Sequence, residues 1–300
     1  MNKRILEANA SDFKSMNSLE LLNAIRMSEG RTLVSEIIVN KENCYMPSYP
    51  ELACAFGADI LLLNIFDVLK PSIKGIGSGK SCIKKLKEYC GRPIGINLEP
   101  APLLDSGQWA LSEGRQATVN NAKIAKEMGV DFILLTGNPG NQVYNQEIIK
   151  ALKSIKKELG DDLVLMAGKM HASGIDEEGN ENILSFEDIE DFAKSGADVI
   201  LLPAPATVPG VDLNYVKERV RKIHSLNCLA MSAIGTSQEG SDVDTIREIA
   251  LLSKQAGVDI HHIGDSGLNG MAVPENIMTY SLAIKGRRHT YFRMASSLKR

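Results

Sequence analysis

None of the chain's five cysteines (Cys44, Cys54, Cys82, Cys90 and Cys228) forms a CxxC pair with another. This spacing argues against a zinc ribbon or a disulfide framework and suits a reducing compartment. The His-x-His and HExxH spacings of familiar metal sites are also missing. No apolar run approaches the roughly 20 residues needed to cross a bilayer. Charge of either sign nearly cancels, with a formal net charge of −3, so there is no general attraction to nucleic acid. The start, Met1-Asn2-Lys3-Arg4 followed by Ile5 to Asn9, reads as too short and polar for a signal peptide. The expectation is a soluble cytoplasmic chain with neither a membrane nor a nucleic acid as partner.

What the sequence does contain is a repeated unit. Gly57-Ala58-Asp59, Gly129-Val130-Asp131, Gly196-Ala197-Asp198 and Gly257-Val258-Asp259 each open an apolar strand. In each, Gly suits a helix end, and the run that follows is apolar on both faces, as a parallel strand covered by helices requires. Four further strands are expected at 32–39, 93–98, 163–168 and 228–233. Helices are expected at about 49–56, 80–90, 112–128, 143–159, 185–195, 212–226, 243–256 and 274–285. A unit recurring at every second strand predicts quarter-barrel periodicity. The fold class is therefore α/β, a single (β/α)8 TIM barrel over residues 1–300. It carries a helical prelude at 1–30, capped at Asn17 or Ser18, and a basic tail at 286–300. The tail region, with Lys285, Arg287, Arg288, Arg293, Lys299 and Arg300, reads as solvated or in contact with another subunit, which leaves a homo-oligomer open.

In such a barrel the site is built from the C-terminal ends of the strands. Those ends offer Glu36, Asn64, Asn97, Glu99, Thr136, Asn138, Lys169, His171, His262 and Asp265. Lys169 follows an apolar strand, so it is a candidate Schiff-base nucleophile with His171 as acid/base partner; simple charge neutralisation of an anion is the commoner role. Glu36, Glu99, His171, His262 and Asp265 are alternatively candidate ligands for a divalent metal, and no other cofactor is implied. Of the adjacent pair His261-His262 only one can point inward; aligning the four repeats selects His262. Two glycine-bearing turns, Gly235-Thr236-Ser237 and Gly264-Asp265-Ser266-Gly267, follow the last two strands and suit a phosphate.

Two motifs are set aside. Gly75 to Ser81 ends like a P-loop but has Lys74 where the first glycine belongs, although as a loop over the mouth it could still touch a phosphate. Asp242-Val243-Asp244-Thr245 has the Asp-x-Asp spacing of haloacid-dehalogenase phosphatases but stands at a helix start, where acids are ordinary caps.

Glu29 to Glu36, Gly264 to Ile277 and Arg287-Arg288-His289-Thr290 resemble a bacterial TIM-barrel family whose members often carry an automatic label as haloacid dehalogenase-like hydrolases. More broadly, the late glycine-rich turns resemble those of ribulose-phosphate-binding barrels. The function expected is an enzyme on a small phosphorylated metabolite, a sugar or keto-acid phosphate, of lyase, aldolase or isomerase type. The rivals are a metal-assisted hydrolase or lyase and a non-catalytic barrel that binds a phosphorylated ligand.

Overall fold

The computed structural model describes residues 3–43, 47–102, 111–137, 142–171, 180–266 and 269–300. Eight parallel strands close a barrel in chain order. They are β1 (Thr32–Ile38), β2 (Ile60–Asn64), β3 (Ile94–Leu98), β4 (Phe132–Leu135), β5 (Val164–Gly168), β6 (Val199–Pro203), β7 (Leu229–Ile234) and β8 (Ile260–Ile263). Closure is direct, with Thr32 to Ser35 of β1 in register with Ile260 to Ile263 of β8. Helices α1 (Ala10–Ser15) and α2 (Ser18–Arg26) precede the barrel. Around it run α3 (Tyr49–Ala55), α4 (Cys82–Cys90), α5 (Val119–Met128), α6 (Asn145–Leu159), α7 (Phe186–Lys194), α8 (Leu213–Ser225), α9 (Val243–Ala256) and α10 (Pro274–Ala295). Within the prelude, Asn17 is the cap of α2, exchanging hydrogen bonds with Glu20.

The four Gly-x-Asp units act as clamps between odd and even strands. Each Asp enters an even strand and accepts an N–H from the odd strand before it. Asp59 accepts from Leu33 at 2.8 Å, Asp131 from Ile94 at 2.7 Å, Asp198 from Leu165 at 2.8 Å and Asp259 from Ala230 at 2.8 Å. The Asp backbone N–H returns a bond to the same residue's carbonyl, as from Asp59 to Leu33 at 2.9 Å. The preceding glycines hold φ between 91° and 104°, a conformation that L side chains resist. A basic side chain partners each clamp: Lys285 and Arg293 for Asp59, Lys87 for Asp131, Lys156 for Asp198 and His224 for Asp259.

Side chains sort into two cores by strand alternation. Val34, Leu62, Leu134, Met166, Leu201 and Met231 fill the barrel, while Leu33, Leu61, Ile133, Leu165, Ile200 and Ala230 pack under the helices. Phe132 of β4 occupies the interior space that Gly95 of β3 leaves: a Cβ there would come within 2.1 Å of the ring. Ile5, Ala8, Phe13, Leu21, Ala24 and Ile25 of the prelude join the interior core and stopper the barrel.

Two expectations are corrected. Helix α10 continues to Ala295 through a kink at Gly286, whose φ of 70° departs from helical geometry, and the basic segment is only partly solvated. Arg287, Arg288, Lys299 and Arg300 are exposed, but Lys285 and Arg293 are buried on Asp59, and Arg293 also donates to the carbonyls of Ala8 and Ile5. The P-loop-like stretch folds as a ribbon, Ser72–Ile73 paired antiparallel with Gly77–Ser78, and lines no part of the mouth cavity described below. Asp242 caps α9 by accepting from Asp244 and Thr245 at 3.0 Å each, so its carboxyl serves the helix start. Among the described residues, no helix is long and apolar enough to cross a membrane.

Candidate active site

The C-terminal end of the barrel opens into a cavity of about 240 Å³. Its walls hold Glu36, Asn64, Asn97, Glu99, Thr136, His171, Gly235, Gly264 and Asp265, all of them expected from the strand ends. The expected Asn138 and Gly267 lie outside the described residues.

Glu36 follows Val34 in the inward alternation of β1, which brings its carboxyl to the cavity floor. Asn97 Nδ2 donates to Glu36 Oε1 at 2.6 Å, and His262 Nε2 lies 3.1 Å from Oε2. His262 itself is wholly buried and supports Glu36 from beneath, while its Nδ1 has no partner among the described residues. When Glu36 is a carboxylate, Nε2 carries the imidazole proton toward it. Asn64 donates to Asp265 Oδ2 at 2.8 Å and orients that carboxyl in the cavity wall.

His171 faces the cavity from beyond β5. Burial holds its imidazole below the ordinary value, with Glu36 opposing the shift, so it is a neutral base at neutral pH. In a closed barrel of eight strands, β1 and β5 stand on opposite walls, so Glu36 and His171 flank whatever occupies the cavity.

Lys169 does not belong to this lining. It lies just past the end of β5, and among the described residues Asp188 of α7 and Glu147 of α6 are acids that act on it. Burial still lowers its ammonium to about 8, which makes it a desolvated lysine. Thr236, Ser237 and Ser266 stand on the two turns but outside the lining; the Thr236 hydroxyl donates to the Thr207 carbonyl at 2.8 Å.

His261, the outward member of its pair, packs under α10. Its Nε2 lies 2.9 Å from the Gly30 carbonyl and its Nδ1 3.2 Å from the Tyr280 hydroxyl. Burial depresses its pKa to about 4. Between that value and the ordinary one near 6.5 the unfolded chain binds more protons than the folded one, so stability falls with acidification across this window. A loss of about 3 kcal/mol is expected from near neutrality to about pH 4. Denaturant melts of the protein and of His261→Gln would check it, since the variant should lose that part of the acid limb.

Several lining residues had no strand-end signal. Arg115 comes from the 3-10 turn Glu113–Arg115 and pairs with Glu99. Its position is set by a bridge between Glu99 and Gln116 and by Gly114, where a Cβ would meet Asp67 Oδ1 at 1.8 Å. Glu239 enters from the turn after β7, and Met170, Ile65 and Gly137 complete the wall. Among the described residues, the lining thus carries four carboxyls, those of Glu36, Glu99, Glu239 and Asp265, against one arginine. Among the described residues, no three His, Cys, Asp or Glu side chains converge as a metal site.

The family model described as Domain of unknown function (DUF7916) matches residues 6–300. The chain belongs to this family. A Haemophilus influenzae protein, named provisionally as an N-acetylmannosamine-6-phosphate 2-epimerase, is 37% identical over 89 residues. The match takes in 30% of this chain and spans 33% of that relative's length. Among solved structures, a thiamine phosphate pyrophosphorylase from Pyrococcus furiosus aligns with a TM-score of 0.49 at 14% identity, over 86% of this chain and 96% of that one.

Proposed function

We propose that this barrel is an enzyme that moves a proton on a small phosphorylated metabolite of the sugar or keto-acid phosphate type, as isomerases, epimerases and some lyases do. The observation that carries this reading is the placement of Glu36 and His171 on opposite walls of one cavity. Taking a proton from a carbon beside a carbonyl and returning one elsewhere calls for an acid/base group on each side of the substrate. Glu36, oriented by Asn97 and His262, is one such group, and His171 is the other. Asn64, Thr136, Asp265 and the Glu99–Arg115 pair would hold hydroxyls and the carbonyl oxygen.

The phosphate would rest on the backbone of the Gly235–Ser237 and Gly264–Ser266 turns, which follow β7 and β8 as in many phosphate-binding barrels. The partial likeness to a relative named for a sugar phosphate supports the substrate class. The absence of Lys169 from the described cavity lining favours proton transfer by Glu36 and His171 over Schiff-base chemistry.

Incubation in deuterium oxide with a panel of sugar and keto-acid phosphates tests the reading by NMR. Deuterium should enter at the carbon next to the carbonyl of at least one member, and absence of exchange throughout the panel would overturn it.

A further inference from the structure

Glu239 stands at the centre of the two late turns. The residue is 4% exposed and lines the cavity, and its Oε2 is buried with no hydrogen-bond partner among the described residues. The carboxyl accepts the backbone N–H of Ser266 and its own. Gly264 lets the β8 turn lie close against β7, where a Cβ would come within 2.6 Å of the Ile234 carbonyl oxygen; Glu239 Cδ lies 3.4 Å from that Cβ position, in ordinary contact. Asn276 of α10 holds the turn from behind, donating to the carbonyls of Glu239 at 2.9 Å and Ser241 at 2.8 Å. Amides suited to an anion therefore already serve a carboxyl, and the other oxygen of that carboxyl is buried at the cavity wall without a partner among the described residues.

Two charge states of Glu239 would treat an oxyanion in opposite ways. An ionised Glu239 beside Asp265 would set two like charges against it in a partly desolvated space. A proton on Oε2 removes one of those charges and supplies a donor at the orphaned position. The charged and titratable groups facing Glu239 are Asp265 and His262 from the end of β8, with Glu36 beyond His262. The β7 turn and α10 contribute the neutral Thr236, Gln238 and Asn276. Burial, joined by Asp265 and opposed by His262 and the backbone amides, pushes the Glu239 carboxyl above its ordinary range.

We propose that Glu239 receives the oxyanion end of the ligand as a neutral carboxylic acid, donating from Oε2, so that binding takes up one proton. The assignment rests on the phosphorylated-substrate reading above and makes Glu239 the residue that sets which ligand charge the site accepts.

The test is binding of inorganic sulfate, which does not titrate between about pH 5 and 9, and of a hexose 6-phosphate, to the protein and to Glu239→Gln. The glutamine keeps the shape of the protonated acid and offers an N–H donor in place of its O–H. Wild-type affinity for sulfate should fall about tenfold per pH unit on the alkaline side. Glu239→Gln should be flat with pH and bind more tightly than wild type in the alkaline range. Parallel profiles for the two proteins would overturn the assignment. If the variant does not fold, calorimetry of the wild type in two buffers of different ionisation enthalpy replaces it: uptake of about one proton is expected, and none would overturn the proposal. Sulfate and hexose 6-phosphate binding with no pH dependence for sulfate removes Glu239 alone. No binding of either ion at acid pH removes the phosphorylated-substrate reading as well.

Discussion

Replacing Asp59 with asparagine is expected to lower the unfolding free energy by about 3–5 kcal/mol, the cost of leaving buried cations without their counterion. Asp59 meets Lys285 and Arg293 in a wholly buried cluster, and Arg92 donates to the Arg293 carbonyl at 2.8 Å. Burial alone would raise the Asp59 carboxyl, but the two cations outweigh it and hold it below the ordinary range. The partners do not respond alike to its loss. Burial already lowers Lys285 to about 8, so it can shed its proton, whereas a guanidinium cannot. Arg293 is therefore the residue that makes the substitution costly. Asp59→Asn combined with Arg293→Met should recover much of the loss in denaturant melts. A cost for Asp59→Asn below about 1 kcal/mol, the worth of a surface pair, would mean that water reaches the cluster.

Glu36→Gln should slow deuterium exchange into the substrate by about 10²–10⁴-fold, the usual contribution of a positioned acid/base group. Gln keeps a carbonyl for the Asn97 donor but loses the proton-accepting oxygen beside His262. The loss should lie in kcat with KM little changed, because the carboxylate acts on the proton in flight more than on bound substrate. His171→Gln should depress the rate comparably and flatten the limb of the pH–rate profile that reports its imidazole. Full exchange in Glu36→Gln would take Glu36 out of the chemistry and leave it as a support for Asn97.

The barrel was legible because its signals are local. Each Gly-x-Asp unit spells out a helix end and a strand clamp within three residues, and alternation along β8 separates His262 from His261 correctly. The inward residues at strand ends were legible for the same reason, and they make up most of the cavity wall. The failures share a cause of the opposite kind. Lys169, a strand-end candidate in the sequence, stands outside the cavity lining, because β5 ends at Gly168 and the chain beyond it brings Met170 and His171 to the cavity instead. Arg115 and Glu239 reach the cavity from turns whose paths depend on tertiary contacts, Gly114 against Asp67 in one case and Asn276 behind the backbone in the other. Lys285 and Arg293 look solvated in sequence because the acid that buries them, Asp59, lies more than two hundred positions away.

The stopper at the barrel's base has a consequence for how the chain matures on the ribosome. Ile5 and Ala8 leave the exit tunnel early, yet the group that grips their carbonyls is Arg293. β1 likewise must wait for β8 before both of its edges are paired. A nascent chain released from the tunnel only as far as α9 would present an open sheet edge and an unsecured apolar stopper at the same moment.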